Sequence, residues 1–432
     1  MLLCSSTRII LKEKGEEGLK STVWKVLSLV CIIAFVLSTP CMVRAVPQIA
    51  ASATITVGQS PEAVAYDSGK GEIFVANQGE NTVSVISDNT NTVIATVPVG
   101  QYPTALAYDS GRGEVFVANS GDSTVSVISD TTNSVVFTVT VGTAPEGLAY
   151  DSSKGEVFVA NTNYNTASGS PGLPCTVSVI SDSTNAVVAT ITVRTAPMGV
   201  AYDSGKGEIF VSNELNDSVS VISDGTNAVV ATVNAGSGPE GLAYDPNKNE
   251  VFVANYPSAS ISVISDRDNY VAATNVPLGD YGANPHSIAY DSAKGTIFVA
   301  CDAGHIYVLS DSNNAVIAEV PIAEIYDVAY DSGKGETFTA DANNGMVETI
   351  LDSSITASSA NPNVSASPTA TESTTPTPSV PEFSSSTLIL FIAAVVVITF
   401  CAVALAAKAS KTTENACKAG HQPVRARNLR KQ

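Results

Sequence analysis

The side chains best suited to chemistry in this sequence sit one step behind a recurring proline. Glu62, Thr104, Glu146, Met198, Glu240 and His286 each follow one, and the last copy of the surrounding phrase lacks the proline and offers Asp327 nearby. Three glutamates, an aspartate and a histidine around one opening could hold a divalent cation such as calcium, or bind a cationic ligand. His286 with Glu240 and Asp327 would also make the best general base or ligand cluster for a metal-dependent lactonase-like hydrolase or lyase. Loop tips are polar by default, so the same glutamates also read as solvated loop residues.

What could gather these residues is a repeat. The phrase Ala-Tyr-Asp, a Gly-rich turn and Ile/Val-Phe-Val-Ala-Asn recurs, anchored on Asp67, Asp109, Asp151, Asp203, Asp245, Asp291 and Asp331, spaced 42, 42, 52, 42, 46 and 40 residues apart. A strand-built period in this range predicts an all-β fold, a seven-bladed β-propeller of four-stranded blades. In the first copy the strands read Pro61–Tyr66, Glu72–Ala76, Thr82–Ile86 and Thr92–Val97, with one face of the third buried. The seventh copy ends after three strands, at Met346–Leu351, while a spare strand, Ala53–Val57, precedes the first. Adding it to the seventh blade closes the ring and hides an edge. First strands line the channel of a propeller, so the residues after the prolines should stand at the channel mouth.

The shared residues themselves read as architecture. The seven anchoring aspartates, and Asp88, Asp130, Asp182, Asp224, Asp266, Asp311 and Asp352 after the third strands, fall where a turn wants a short acceptor. The lysines and arginine of the first turns read as solvated decoration. Two loops break the pattern: Thr162–Pro174 is about ten residues longer than its siblings, and Gly279–Asn284 presents Tyr281 beside His286. Tyr102, Tyr164, Tyr256 and Tyr326 add aromatic surface to the same face, of a kind used in carbohydrate or protein recognition.

The ends predict an anchored, exported protein. Residues 1–45 read as a signal peptide or N-terminal anchor: Lys12, Lys14, Lys20 and Lys25 precede the apolar run Val26–Leu37, with a cleavage-type Val43-Arg44-Ala45. Residues 46–352 hold the propeller, and 353–387 form a Ser/Thr/Pro-rich stalk that cannot bury enough surface to fold. Residues 388–407 are uncharged and long enough to cross a bilayer as a helix, and 408–432 carry seven basic residues against Glu414, which places the tail in the cytoplasm and the propeller outside. Asn216 and Asn363 open N-glycosylation sequons. Residues 46–387 hold 9 Lys+Arg and 37 Asp+Glu, a net of 9 − 37 = −28, which repels nucleic acid. Cys175 and Cys301 fall in the third and sixth repeats, too far apart in a ring to bond.

The runs Ile73–Asn77, Val115–Asn119, Val157–Asn161, Ile209–Asn213 and Val251–Asn255, the following TVSVI-S-D and the Pro-containing lead-in resemble the YVTN repeat. That resemblance implies a β-propeller of the kind found in archaeal surface-layer-type proteins; the last two copies depart from it, with Cys301 and Asp341 in place of Asn. Pro381-Glu382-Phe383, a span and a basic tail are similar to the PEF-type sorting signal of archaeal surface proteins. The expectation is a non-enzymatic, membrane-anchored cell-surface propeller for adhesion, envelope assembly or ligand recognition, with envelope proteins or glycans as partners and no cofactor beyond a divalent cation. No G-x-S-x-G, H-E-x-x-H, P-loop or C-x-x-C-H occurs, and the one Trp, Trp24, lies in the signal.

Overall fold

Short β-rich runs separated by turn residues fold locally into four-strand meanders, and seven such meanders are present. The computed structural model describes residues 47–165, 170–171, 174–278, 284–302, 304–322, 325–351 and 355. The expected signal, span and tail lie outside them, as does the expected stalk 353–387 apart from Ile355, which is buried in one cluster with Ile49 and Ile325 rather than solvated. Blade 1 runs outward from the channel through Pro61–Asp67, Glu72–Asn77, Thr82–Ser87 and Thr92–Pro98, all antiparallel. Blades 2 to 6 repeat that order. Blade 7 has three strands of its own, Ile325–Asp331, Glu336–Asp341 and Met346–Leu351, and takes its fourth from the N-terminus: Ala53–Thr56 pairs antiparallel with Met346–Leu351, Ile55 opposite Val347. The ring is closed by this strand.

The second strand carries the core. Ile73, Phe74, Val75, Ala76 and Asn77 are all buried, and one phenylalanine per blade (Phe74, Phe116, Phe158, Phe210, Phe252, Phe298 and Phe338) is fully excluded from solvent. Each blade is sandwiched between two neighbours, so both faces of a middle strand are covered. For that reason the third strand Thr82–Ser87 is buried on both faces rather than on one. Only the fourth strand alternates, as in Thr92–Pro98.

The repeated polar residues prove to be fasteners. Asp67 Oδ1 accepts the Gly69 and Lys70 amides at 2.7 and 3.2 Å, an Asx turn, and the sibling aspartates do the same. Asn77 donates to Thr82 and Ser84 on its own third strand at 3.0 and 2.9 Å, and its side-chain oxygen Oδ1 accepts from the Gly58 amide at 3.1 Å. The tyrosines tie blades together: the Tyr108 phenol is held far above its ordinary value, first by burial and then by its bond to Asp67 of the preceding blade. Tyr66 stands in the same relation to Asp331, across the closing seam. Tyr108→Phe removes its contact between blades and is expected to cost about 0.5–1.5 kcal/mol in chemical unfolding.

Several first-turn lysines are more than solvated decoration. Lys70 donates to the Asp130 carbonyl of the next blade and lies 3.4 Å from its carboxylate. Lys206 reaches the Asp266 carbonyl, and Lys334 reaches that of Asp88, from blade 7 to blade 1. A flexible side chain that ends on a backbone acceptor spans the gap between meanders. Because these pairs keep about a third of their lysine exposed, Lys334→Ala is expected to cost no more than about 1 kcal/mol, read as a small drop in denaturation midpoint. Cys175 and Cys301 are buried and free.

Candidate functional site: the channel mouth

The first strand of every blade starts with a bulge. In blades 1, 2, 3 and 6 the register skips one residue after the proline, leaving Glu62, Thr104, Glu146 and His286 outside the ladder. In blades 4 and 5 it skips two, Met198 with Gly199 and Glu240 with Gly241. A bulge re-aims its unpaired residue, and here it turns all six into one cavity of about 450 Å³ at the axis. The next residue is small for a reason. A Cβ on Gly147, Gly199 or Gly241 would lie 2.0, 2.3 and 2.3 Å from the following blade's Met198, Glu240 and His286 carbonyls. Ser212, where most copies have Ala, donates to the Glu240 carbonyl at 2.6 Å and accepts from the Gly199 amide at 2.9 Å, fixing the backbone beneath Glu240.

Blade 7 differs from the sequence expectation. Its skipped residue is Tyr326, so Tyr326 rather than Asp327 is the seventh member of the ring. Asp327 occupies the position of Ala63 and Ser287, one layer deeper, and still lines the cavity. Its carboxylate accepts from the Val64 amide at 2.8 Å and from the Ser287 hydroxyl, joining blades 6, 7 and 1. Tyr281 lies outside the described residues, as does Asn363. Asn216 is exposed, and its side-chain oxygen accepts the Thr195 amide at 2.6 Å.

Among the described residues no lysine or arginine lines the cavity, and its basic side chain is His286. Burial, and then the charge of Glu62, pushes the Glu146 carboxyl up to about 7. Burial raises Asp327 to about 6 against its three hydrogen bonds. Glu62 is raised by burial, opposed by His286 and assisted by Asp327. His286 is drawn into two acid contacts, Nδ1 2.6 Å from Glu240 and Nε2 3.6 Å from Asp302. Burial works against its protonation, but the bond and charge of Glu240, with Asp302, raise its pKa overall. Tyr256 and Tyr326 flank the imidazole at ring separations of 4.5 and 5.3 Å.

Asp302 was missed in the sequence, although a signal for it exists. The residue that follows the second strand also varies from copy to copy: Gln78, Ser120, Thr162, Glu214, Tyr256 and, after Cys301, Asp302 in blades 1 to 6. Gln78 lines the axial cavity, Asp302 accepts from Tyr256 at 3.2 Å and faces His286, and Ser120, Thr162 and Glu214 line a second cavity of about 480 Å³ above blades 2 to 4. Glu146 and Met198 line both cavities, so the second adjoins the first there. Tyr102, exposed and at φ 51°, forms part of its wall. The Thr162–Pro174 loop beside it contains a small ribbon, Tyr164–Asn165 against Ser170–Pro171. Among the described residues no three His, Cys, Asp or Glu side chains converge closely enough to hold a metal ion, so the calcium expectation gains no geometry. His305 pairs with Glu319 at 2.8 Å and does not line the axial cavity.

A family model described as Arylesterase matches residues 226–363, about a third of the chain, from the last strand of blade 4 through blade 7. That stretch includes Glu240, His286, Asp302, Tyr326 and Asp327. Among solved structures the chain is similar to hydrazine synthase of Kuenenia stuttgartiensis, at 16% identity over 68% of this chain and 96% of that one, with a TM-score of 0.61. At that identity the likeness is one of fold. No curated protein matches the sequence.

Proposed function

We propose that this chain is a non-enzymatic, membrane-anchored cell-surface propeller that recognises a ligand at its channel mouth. One observation carries the reading. The positions where the copies disagree, Glu62, Thr104, Glu146, Met198, Glu240, His286 and Tyr326, are the ones the bulges turn into one cavity. Along the first strand the widest change of chemistry, from glutamate to threonine, methionine, histidine and tyrosine, falls there, while the Ala-Tyr-Asp that follows is shared by all seven copies. The favoured ligand is cationic. Glu62, Glu146 and Asp327 supply acceptors, Glu240 is already paired with His286, and the tyrosines beside His286 offer π faces. Two cavities that adjoin at Glu146 and Met198 suit an elongated ligand, such as an envelope glycan or a peptide segment. The signal-like start, the stalk and the apolar run at 388–407 support presentation outside a membrane.

Calorimetric titration of the full-length protein with spermidine as a cationic probe, beside Ca²⁺ and Mn²⁺, tests the ring. Glu62→Gln/Glu146→Gln/Glu240→Gln is expected to weaken spermidine binding at least about tenfold, the effect of losing roughly 1.4 kcal/mol. Identical isotherms for the two proteins would remove the ring as a binding site.

The Arylesterase match favours a second reading, an ester- or lactone-cleaving enzyme centred on His286. Against it, both imidazole nitrogens face carboxylates, which favours the protonated ring, and a general base needs a free nitrogen. Turnover of phenyl acetate or a simple lactone by the wild type, abolished in His286→Ala, would replace the recognition reading.

A further inference from the structure

The fourth strands form the outer rim of the propeller, and they are not all treated alike. The third residue of the strand is Ile94 in blade 1, Val136 in blade 2, Val188 in blade 3, Val230 in blade 4 and Ile317 in blade 6. In blade 6 the N-terminal segment lies across this strand. The Glu319 amide donates to the Pro47 carbonyl at 3.0 Å, the Ile49 amide donates to the Glu319 carbonyl at 2.9 Å, and Gln48 bridges Glu319 in parallel. Ile49 is buried, and Ala51 and Ile317 pack against the same cluster. In blades 1 to 4 nothing in the described chain does this, and Ile94, Val136, Val188 and Val230 stand 50, 43, 54 and 53% exposed. Blade 2 adds Phe137, 53% exposed, where blades 1, 3 and 4 have Ala95, Ala189 and Ala231.

The same strands lack the devices that normally keep sheet edges apart. Thr92–Pro98, Ser134–Thr140, Ala186–Thr192 and Ala228–Asn234 hold no charged residue. This is notable in a domain where acids outnumber bases 37 to 9 between residues 46 and 387. An outer strand also leaves alternate backbone N–H and C=O groups unpaired, a template for another strand. The four rims follow one another around the ring, with neighbouring fourth strands in contact.

We propose that the uncharged rim of blades 1 to 4 is a self-association surface, and that its occupant is the same rim of a second copy of this chain. Charge selects this occupant. Two copies repel wherever their acidic surfaces face each other, and this rim is the extended stretch where they can approach without that cost. A basic partner would find no acid here to pair with, whereas a second copy brings both a matching unpaired edge and matching apolar side chains. Blade 6 shows, within one chain, that such a rim accepts an extended segment through backbone hydrogen bonds and buried isoleucine.

Sedimentation velocity of the detergent-purified full-length protein over a hundredfold concentration range tests this. The wild type is expected to show a concentration-dependent dimer. Phe137→Lys/Val188→Lys is expected to raise the dimer dissociation constant at least tenfold. Ser312→Lys/Ser332→Lys, the same charge change on exposed turns, is expected to leave it unchanged. Should the first variant melt below the wild type, Phe137→Ala, with no added charge, is still expected to weaken the dimer severalfold. A protein that stays monomeric throughout, or a dimer indifferent to Phe137 and Val188, would overturn the proposal, as would binding of a foreign strand peptide to the rim of a chain that remains monomeric.

Discussion

Replacing Ile55 with proline is expected to lower the melting temperature of the propeller by about 10 °C or more, since a loss near 5 kcal/mol shifts a domain of this size by roughly 2 °C per kcal/mol. Two losses combine. Proline removes an N–H from the ladder and its ring disturbs the strand, at about 3 kcal/mol. The Ile55 side chain, buried with Val64, Ile73, Ile86, Phe338 and Val347 at the junction of blades 7 and 1, is lost as well, at about 2 kcal/mol or more. Ile55→Ala isolates the second part and is expected to cost roughly 2–4 kcal/mol, with the ladder intact. The effect reaches past one strand because Ala53–Thr56 is the fourth strand of blade 7 and joins the two ends of the ring. A thermal melt of Ile55→Pro within a degree of the wild type would mean the ring does not depend on this clasp.

Glu146→Gln is expected to stabilise the protein above neutral pH. Buried beside Glu62, Glu146 titrates at about 7 in the folded protein, against 4.5 for an ordinary glutamate. Between those values the unfolded chain has released its proton while the folded one still holds it, so stability falls as pH rises from about 4.5 through about 7 and the cost persists above. A shift of that size corresponds to about 3 kcal/mol at full burial; discounted for the water the cavity admits, about 1–3 kcal/mol is expected. Asp327, raised from 3.8 to about 6, acts with the same sign in a more acidic window. Urea midpoints at pH 5 and pH 8 read this directly. The wild type should lose more stability than Glu146→Gln over that interval; parallel losses in the two proteins would show that the Glu146 carboxyl is not held protonated. The cost has a functional side, because a cation seated against Glu146 would favour the ionised form and return the lost stability.

Much of the mouth could be read from the chain before folding. A proline at a fixed place ahead of Ala-Tyr-Asp locates the start of each first strand, and a propeller puts those starts at the axis, so Glu62, Thr104, Glu146, Met198, Glu240 and His286 were recoverable from spacing. Blade 7 differs. With no proline, nothing local tells whether Tyr326 or Asp327 leaves the ladder, and only the register against Glu336–Asp341 decides that Tyr326 does. The Asp302–His286 contact was hidden because it joins two loops of blade 6, Asp302 after the second strand and His286 at the start of the first, and their approach depends on how the blade's two inner strands are aligned.

The sequence by itself determined the repeat count, the strand order within a blade and the N-terminal closure, because period, alternation and turn chemistry are local properties that seven copies restate. Tertiary structure alone decided what each repeated residue does. Lys70, Lys206 and Lys334 became clips between blades, the tyrosines became bonds to the preceding blade's aspartates, and the third strands were buried on both faces. The cause is the same in every case: these roles belong to the packing of one blade on the next, and the distance between blades is written in no single repeat.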